Sequence, residues 1–122
     1  MSNRTKENTM EYVHKEVTDY TYILQHTDFN TVSDILKQLS DPSRLRIFWL
    51  LCHCEECVQH ISMLVDMSSP AVSHHLRILK SNGLITSRRS GKEVYYKAAD
   101  TQTIKELHHI IEMMITIHCP QE

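Results

Sequence analysis

The strongest constraint on this chain lies between Ser69 and Ala98. Ser69-Pro70 has the form of a helix start, a capping hydroxyl followed by a proline where no backbone N–H is needed. Val72, Leu76 and Leu79 then recur at helical spacing as far as Ser81. Asn82-Gly83 is a stop, because glycine enters the left-handed region at no steric cost. Leu84–Arg88 and Glu93–Ala98 read as two short strands joined at Ser90-Gly91, a hairpin signal. Immediately upstream, Cys57–Val65 reads as a short helix with Ile61, Leu64 and Val65 apolar, followed by a turn at Asp66-Met67-Ser68. Short helix, turn, helix and two-stranded hairpin make a helix-turn-helix with a wing, an arrangement that presents its second helix to a DNA groove.

The rest of the chain reads as helix. Glu7–Leu24 carries Met10, Val13, Val17, Tyr20 and Leu24 on one face, and Asn30–Leu39 carries Val32, Ile35, Leu36 and Leu39. Asp41-Pro42 supplies an N-cap and first position for a third helix, continued by Leu45, Ile47, Phe48, Leu50 and Leu51 toward Cys52. From Asp100 to His118, Ile104, Leu107, Ile110, Ile111, Met114 and Ile117 recur at helical spacing. With only 2 Gly and 3 Pro in 122 residues, little interrupts these helices. The expected fold is mainly α with a β-hairpin wing, one winged-helix domain over residues 1–122. Its parts are N-terminal helices at 1–40, the helix-turn-helix at 57–82, the wing at 84–98 and a last helix at 100–118. That last helix has more apolar surface than so small a domain can cover, which predicts an α-helical dimer interface and a homodimer.

Charge and cysteine usage narrow the function. The formal net charge is -2, yet Ser69–Lys97 holds six cations (Arg77, Lys80, Arg88, Arg89, Lys92, Lys97) against Glu93, a local +5. A basic stretch inside an acidic chain suits one face meeting phosphate, although a solvated charged face has the same composition. On the reading helix Ser69, Ser73, His74 and Arg77 offer flexible hydrogen-bonding groups for bases. Arg88, Arg89 and Lys92 on the wing are placed for flanking phosphates. No apolar run is long enough for a leader or a membrane span, which predicts a cytoplasmic protein that does not contact membrane. In that compartment the 4 cysteines are expected as ligands or reactive thiols rather than structural disulfides. No phosphate loop or paired-carboxylate arrangement suggests an enzyme.

Three stretches resemble the ArsR/SmtB repressors. They are Leu39-Ser40-Asp41-Pro42-Ser43-Arg44-Leu45-Arg46-Ile47, then Ser73-His74-His75-Leu76-Arg77-Ile78-Leu79-Lys80, then Gly83-Leu84-Ile85 with Arg88-Arg89-Ser90-Gly91-Lys92-Glu93-Val94-Tyr95-Tyr96. The resemblance runs without a gap from about Val32 to Asp100. It implies a winged-helix homodimer joined by its first and last helices. It further implies double-stranded operator DNA with an imperfect inverted repeat as the partner, and release of that DNA when an inducer binds.

The resemblance also implies where an inducer could sit. A site on the family's last helix would need His at Gln102, His at Met113 and Glu or His at Thr116. Only Asp100 fits, so that site is expected to be absent. A second family site matches Glu55–His60, where Cys57 survives and the other cysteine position is Gln59. Upstream cysteines complete Cys52-His53-Cys54-Glu55-Glu56-Cys57, a Cys-x-Cys-x-x-Cys spacing similar to that of arsenic-responsive members but displaced toward the preceding helix. Three such thiolates suit As(III), Cd(II) or Pb(II), and a fourth ligand would suit Zn(II). The candidate ligands are therefore Cys52, Cys54, Cys57 and Cys119, with His53, His60 and His118 as optional additions. Cys52 also continues an apolar face and can serve as a small core residue, while Cys54 can be an incidental loop thiol. His74 and His75 belong to the reading motif, and His108 and His109 read as surface or dimer-face residues. The alternative to a metal is persulfide or oxidant sensing through Cys52 and Cys119, each about one turn beyond the thiol positions of such family members.

Overall fold

A computed structural model describes residues 17–119. It falls into two compact units that divide between Thr31 and Val32. The first contains α1 (Val17–His26), ended by a Thr27 N–H to Ile23 carbonyl bond, and the beginning of α2 (Phe29–Gln38). Asp28 caps α2, its carboxylate accepting from the Thr31 N–H and hydroxyl. Of the expected first helix, Met10 and Val13 lie outside the described residues.

The second unit is the winged helix. After the end of α2 come α3 (Pro42–His53), β1 (Glu56–Cys57), α4 (Val58–Val65), α5 (Ser69–Ser81), β2 (Ile85–Ser90), β3 (Glu93–Ala98) and α6 (Gln102–His118). The expected elements are present, with local corrections. Asp41 caps α3 through the Arg44 N–H and Pro42 opens it, as its sequence demands. The cap of α5 is Ser68 rather than Ser69, which enters the helix, since the Ser68 hydroxyl is the one that accepts from Ala71 N–H. Strand β1 has no counterpart in the sequence reading, because two residues carry no periodicity. It pairs antiparallel with β3, Glu56 opposite Tyr96 and Cys57 opposite Tyr95, giving a sheet in the order β1-β3-β2. The wing is a two-residue hairpin closed by Ser90 opposite Glu93, and Gly91 at φ 65° supplies the turn.

The core is the apolar face of α3 and what closes over it. Ile47, Phe48 and Leu51 are buried with Ile61 and Val65 of α4, Val72, Leu76 and Leu79 of α5, Leu84, Ile85 and Ile104. Leu107 and Ile111 of α6 pack half-buried on this cluster. They are therefore not part of the surplus apolar face expected of α6. That face consists of Ile110, Met113, Met114 and Ile117, which stand 49–71% exposed.

Behind the reading helix, His74 and His75 part company. His74 is exposed, but His75 turns inward, and its Nδ1 accepts from Arg44 Nε at 3.2 Å. Arg44 also donates to the Gln38 side chain and carbonyl, so one guanidinium joins the end of α2, the start of α3 and α5. Burial pushes the His75 pKa below its ordinary 6.5, with Arg44 and His74 adding to the shift and Asp41 opposing it. The unfolded imidazole protonates near 6.5, while the folded one does so only at lower pH. The unfolded chain then binds more protons, so this component of stability is lost as pH falls below 6.5. Urea unfolding of wild type and His75→Gln should show it. The stability difference between them should shift against wild type from about pH 7 down to about pH 5, and a pH-independent difference would contradict the assignment.

Candidate functional site

The basic residues of α5 and the wing are exposed. On α5, Ser69, His74 and Arg77 are exposed and Ser73 is half-buried, at spacings that place them along the outer side of the helix. At the wing, Arg89 and Lys92 are exposed and, among the described residues, carry no ion pair. Arg88 differs. Its guanidinium makes a two-pronged bond to Glu55, at 2.8 and 2.9 Å, and lies 5.3 Å from the Tyr95 ring centroid. Glu55 is thereby held below the usual carboxylate range by the Arg88 hydrogen bond. The wing is braced against the segment joining α3 to β1, and Arg88 has a protein partner where the sequence suggested a phosphate.

The four cysteines do not meet at one point. Cys52, in the last turn of α3, is half-buried beside a cavity of about 330 Å³ that Cys54, His53 and His108 also line. Burial, assisted by Glu112, pushes the Cys52 thiol up to about 11. Cys54 is the α3 C-cap, with its thiol directed at the Leu50 carbonyl at 3.5 Å, and its pKa is raised by burial and then by Glu56. Cys57 is buried in β1 at the N-cap of α4. Cys119 is exposed at the end of α6 and lines a different cavity, of about 590 Å³, between α3, α4 and α6 with Leu45, Trp49, Leu64, Met114 and His118. Asp100 borders the Cys52 cavity, whereas Gln102, Met113 and Thr116 are exposed.

Two groups of donor atoms do converge, each with its ligand atoms within 4.8 Å of one another. The first is Glu56, Cys57 and His60, in which His60 Nδ1 stands 2.9 Å from Glu56 Oε1. It contains one cysteine and one histidine singled out from the sequence. The second is His53, His108 and Glu112, with Trp49 Nε1 donating to Glu112 at 3.0 Å. The hydrogen bond from His108, then that from His53, holds the Glu112 carboxyl below the usual range. Sequence reasoning assigned His108 to the surface or the dimer face. The available signal was His108 and Glu112 at i, i+4 on one helix, the spacing that brings two ligands to one side.

Comparison with known proteins finds a matching family. Residues 41–87 match the model of the family described as "Bacterial regulatory protein, arsR family". A "Transcriptional repressor SmtB homolog" of Synechocystis is 41% identical over 73 residues, covering 60% of this chain and 55% of that protein. A "Cadmium resistance transcriptional regulatory protein CadC" of Listeria innocua is 43% identical over 74 residues, covering 60% of this chain and 62% of that one. In both cases the match spans less than two thirds of the relative's length. Among solved structures, a homodimeric winged helix-turn-helix DNA-binding domain of Mycobacterium bovis superposes with a TM-score of 0.66 at 29% identity, covering 77% of this chain and 86% of that one. The winged helix-turn-helix assignment therefore stands on both geometry and likeness.

The position of Cys52 has a chemical consequence. A thiol at about 11 is almost entirely protonated at neutral pH, so the thiolate that metals and oxidants require is scarce. Alkylation of Cys52, followed by peptide mass spectrometry, should keep accelerating from about pH 9 to about pH 11, where an unperturbed thiol near 8.5 has levelled off. A plateau below about pH 9 would contradict this environment.

Proposed function

We propose that this chain, whose residues 41–87 match the model of the arsR family of bacterial regulatory proteins, is a transcriptional repressor that binds operator DNA as a homodimer and releases it when a thiophilic metal or metalloid binds its cysteines. The observation that carries the DNA-binding half is the set of exposed polar and basic groups on α5 and the wing. His74 and Arg77 are exposed where a groove-filling helix meets base edges, and Arg89 and Lys92 stand where flanking phosphates run. Ser69 and Ser73 complete the set. Arg88 joins the phosphate contacts only by giving up part of its fork to Glu55.

The dimer reading rests on the apolar face of α6. Four large side chains at 49–71% exposure on one helix are ordinary for a helix that meets a second copy, and uncommon on a free surface. The similar domain from Mycobacterium bovis is described as homodimeric, which supports it. Two matching counterparts face a palindromic operator with their reading helices about 34 Å apart.

The inducer reading rests on chemistry. One relative is named for cadmium resistance, and Cd(II), Pb(II), As(III) and Zn(II) all accept sulfur ligands. Of the candidate ligands, Cys57 already has two further donors near it, Glu56 and His60. Recruiting Cys54 and Cys52 requires the segment 53–56 to refold, and that segment leads directly into α4, the first helix of the reading pair. Cys119 joins such a site only if α6 shifts as well. A coupling of about 1–3 kcal/mol through this junction would change operator affinity about 5–150-fold. The opening of Cys52 and Cys119 into different cavities weighs against an oxidative pair as the switch, while the raised pKa of Cys52 weighs equally against it as a metal ligand and as a redox thiol.

Two measurements test the proposal. In fluorescence anisotropy with operator DNA, Arg77→Ala should cost about 1–3 kcal/mol if it reads a base edge. Lys92→Ala should weaken all sequences alike and reduce the salt slope by about 1. Unchanged affinity in both would reject this DNA face. For the inducer, Cys57→Ser, Cys52→Ser and Cys119→Ser should each be titrated with Cd(II), Pb(II), Zn(II), arsenite and a persulfide donor. Cys57→Ser should lose metal-driven DNA release. Parent-like release by every metal in all three variants would reject the cysteines as the sensor.

A further inference from the structure

The ligands read from the sequence are sulfur, yet a donor set of different chemistry sits where α3 meets α6. His53 ends α3, while His108 and Glu112 lie about one turn apart on α6. His53 Nε2 stands 2.7 Å from Glu112 Oε2, His108 Nε2 stands 2.9 Å from the same oxygen, and the two ring nitrogens are 3.2 Å apart. Trp49 Nε1 points at that oxygen too, at 3.0 Å. Three nitrogens thus crowd one carboxylate oxygen. If both rings donate to it, their Nε2–H groups face each other with no acceptor between them.

We infer that His53 Nε2, His108 Nε2 and Glu112 Oε2 form a binding site for one borderline divalent transition-metal ion of the zinc or cobalt kind. Bonds of about 2.0–2.1 Å in tetrahedral geometry require donor atoms about 3.3 Å apart. The observed edges of 2.7, 2.9 and 3.2 Å fall short of this by between about 0.1 and 0.6 Å. The side chains that must spread are 43% exposed at His53, 30% at His108 and 36% at Glu112, so they have room to do so. Imidazole and carboxylate suit Zn(II) or Co(II) better than the softer ions that thiolates select. The Trp49 N–H orients Glu112 from outside, as partners of metal-bound carboxylates do. His53 is further fixed by its neighbours, with the Trp49 ring 4.3 Å and the His108 ring 4.8 Å away, centroid to centroid. The partial exposure leaves the fourth position to water. An ion held there fastens the end of α3 to α6 without using any cysteine, so the site stands or falls separately from the sulfur sensor.

The experiment is a Co(II) titration of the full-length, metal-free chain carrying Cys57→Ser, which removes the sulfur of the other donor group so that failure of the sulfur sensor and failure of this site are read separately, followed by visible and near-ultraviolet absorption and by Zn(II) competition. Tetrahedral d–d bands should develop to one equivalent without an intense sulfur-to-cobalt charge-transfer band, and Zn(II) should abolish them. His108→Gln and Glu112→Gln should each weaken binding more than ~100-fold, and Trp49→Phe about 10-fold, in line with first-layer and supporting roles. His109→Gln, at the exposed neighbouring position, should bind as the parent does. Circular dichroism checks folding, and His53→Gln is a third, independent ligand variant should one of the others unfold. Absence of cobalt binding, a dominant sulfur charge-transfer band, or parent-like affinity in the folded ligand variants would overturn the site.

Discussion

Ile47, Phe48 and Leu51 are the side chains on which the winged unit is assembled. They form one face of α3, and α5, β3, α4 and α6 all pack against that helix. Burying each contributes about 1.5–3 kcal/mol, of the same order as a small domain's net stability when summed. Helix α5 is therefore not a free-standing rod. Val72, Leu76 and Leu79 bind its inner face to α3, and Arg44 reaches His75 across the same seam. The outer face of α5 is exposed because its inner face is fully committed.

That geometry also explains the placement of the candidate sensor groups. Both ends of α3 carry chemistry. Its first turn, with Asp41 and Arg44, meets the reading helix, and its last turn holds Cys52 and His53 beside α6. The last turn lies against α6, whose exposed side chains are the proposed contact with a second copy, and it leads directly into β1 and α4. Sulfur at Cys57 and nitrogen at His53 thus sit on either side of one short connection.

Much of this was legible in the sequence because it rests on local signals. Asp41-Pro42, Asn82-Gly83 and the hairpin runs act within a few residues of chain, and the helices show their periods directly. What escaped depends on long-range pairing. Strand β1 exists only because β3 offers an unpaired edge to Glu56 and Cys57. His74 and His75 are adjacent and chemically identical, and only the position of Arg44 separates an exposed ring from a buried one. His53 meets Glu112 across 59 residues of sequence, a distance over which no spacing rule operates. The cysteines were only partly legible. Their closeness in sequence allows convergence if the connecting segment folds around an ion, whereas here Cys52 lies in a helix end, Cys54 is its cap and Cys57 lies in a strand.

The bond between Glu55 and Arg88 joins the wing to the segment that carries Cys54. With Tyr95 beneath the guanidinium, this contact ties the wing to the α3–β1 junction. A wing on a loose hairpin would sample many orientations and lose entropy on each encounter with a duplex. If the wing meets a duplex as proposed, bracing of this kind would present it already aligned, and its orientation would report the junction's shape.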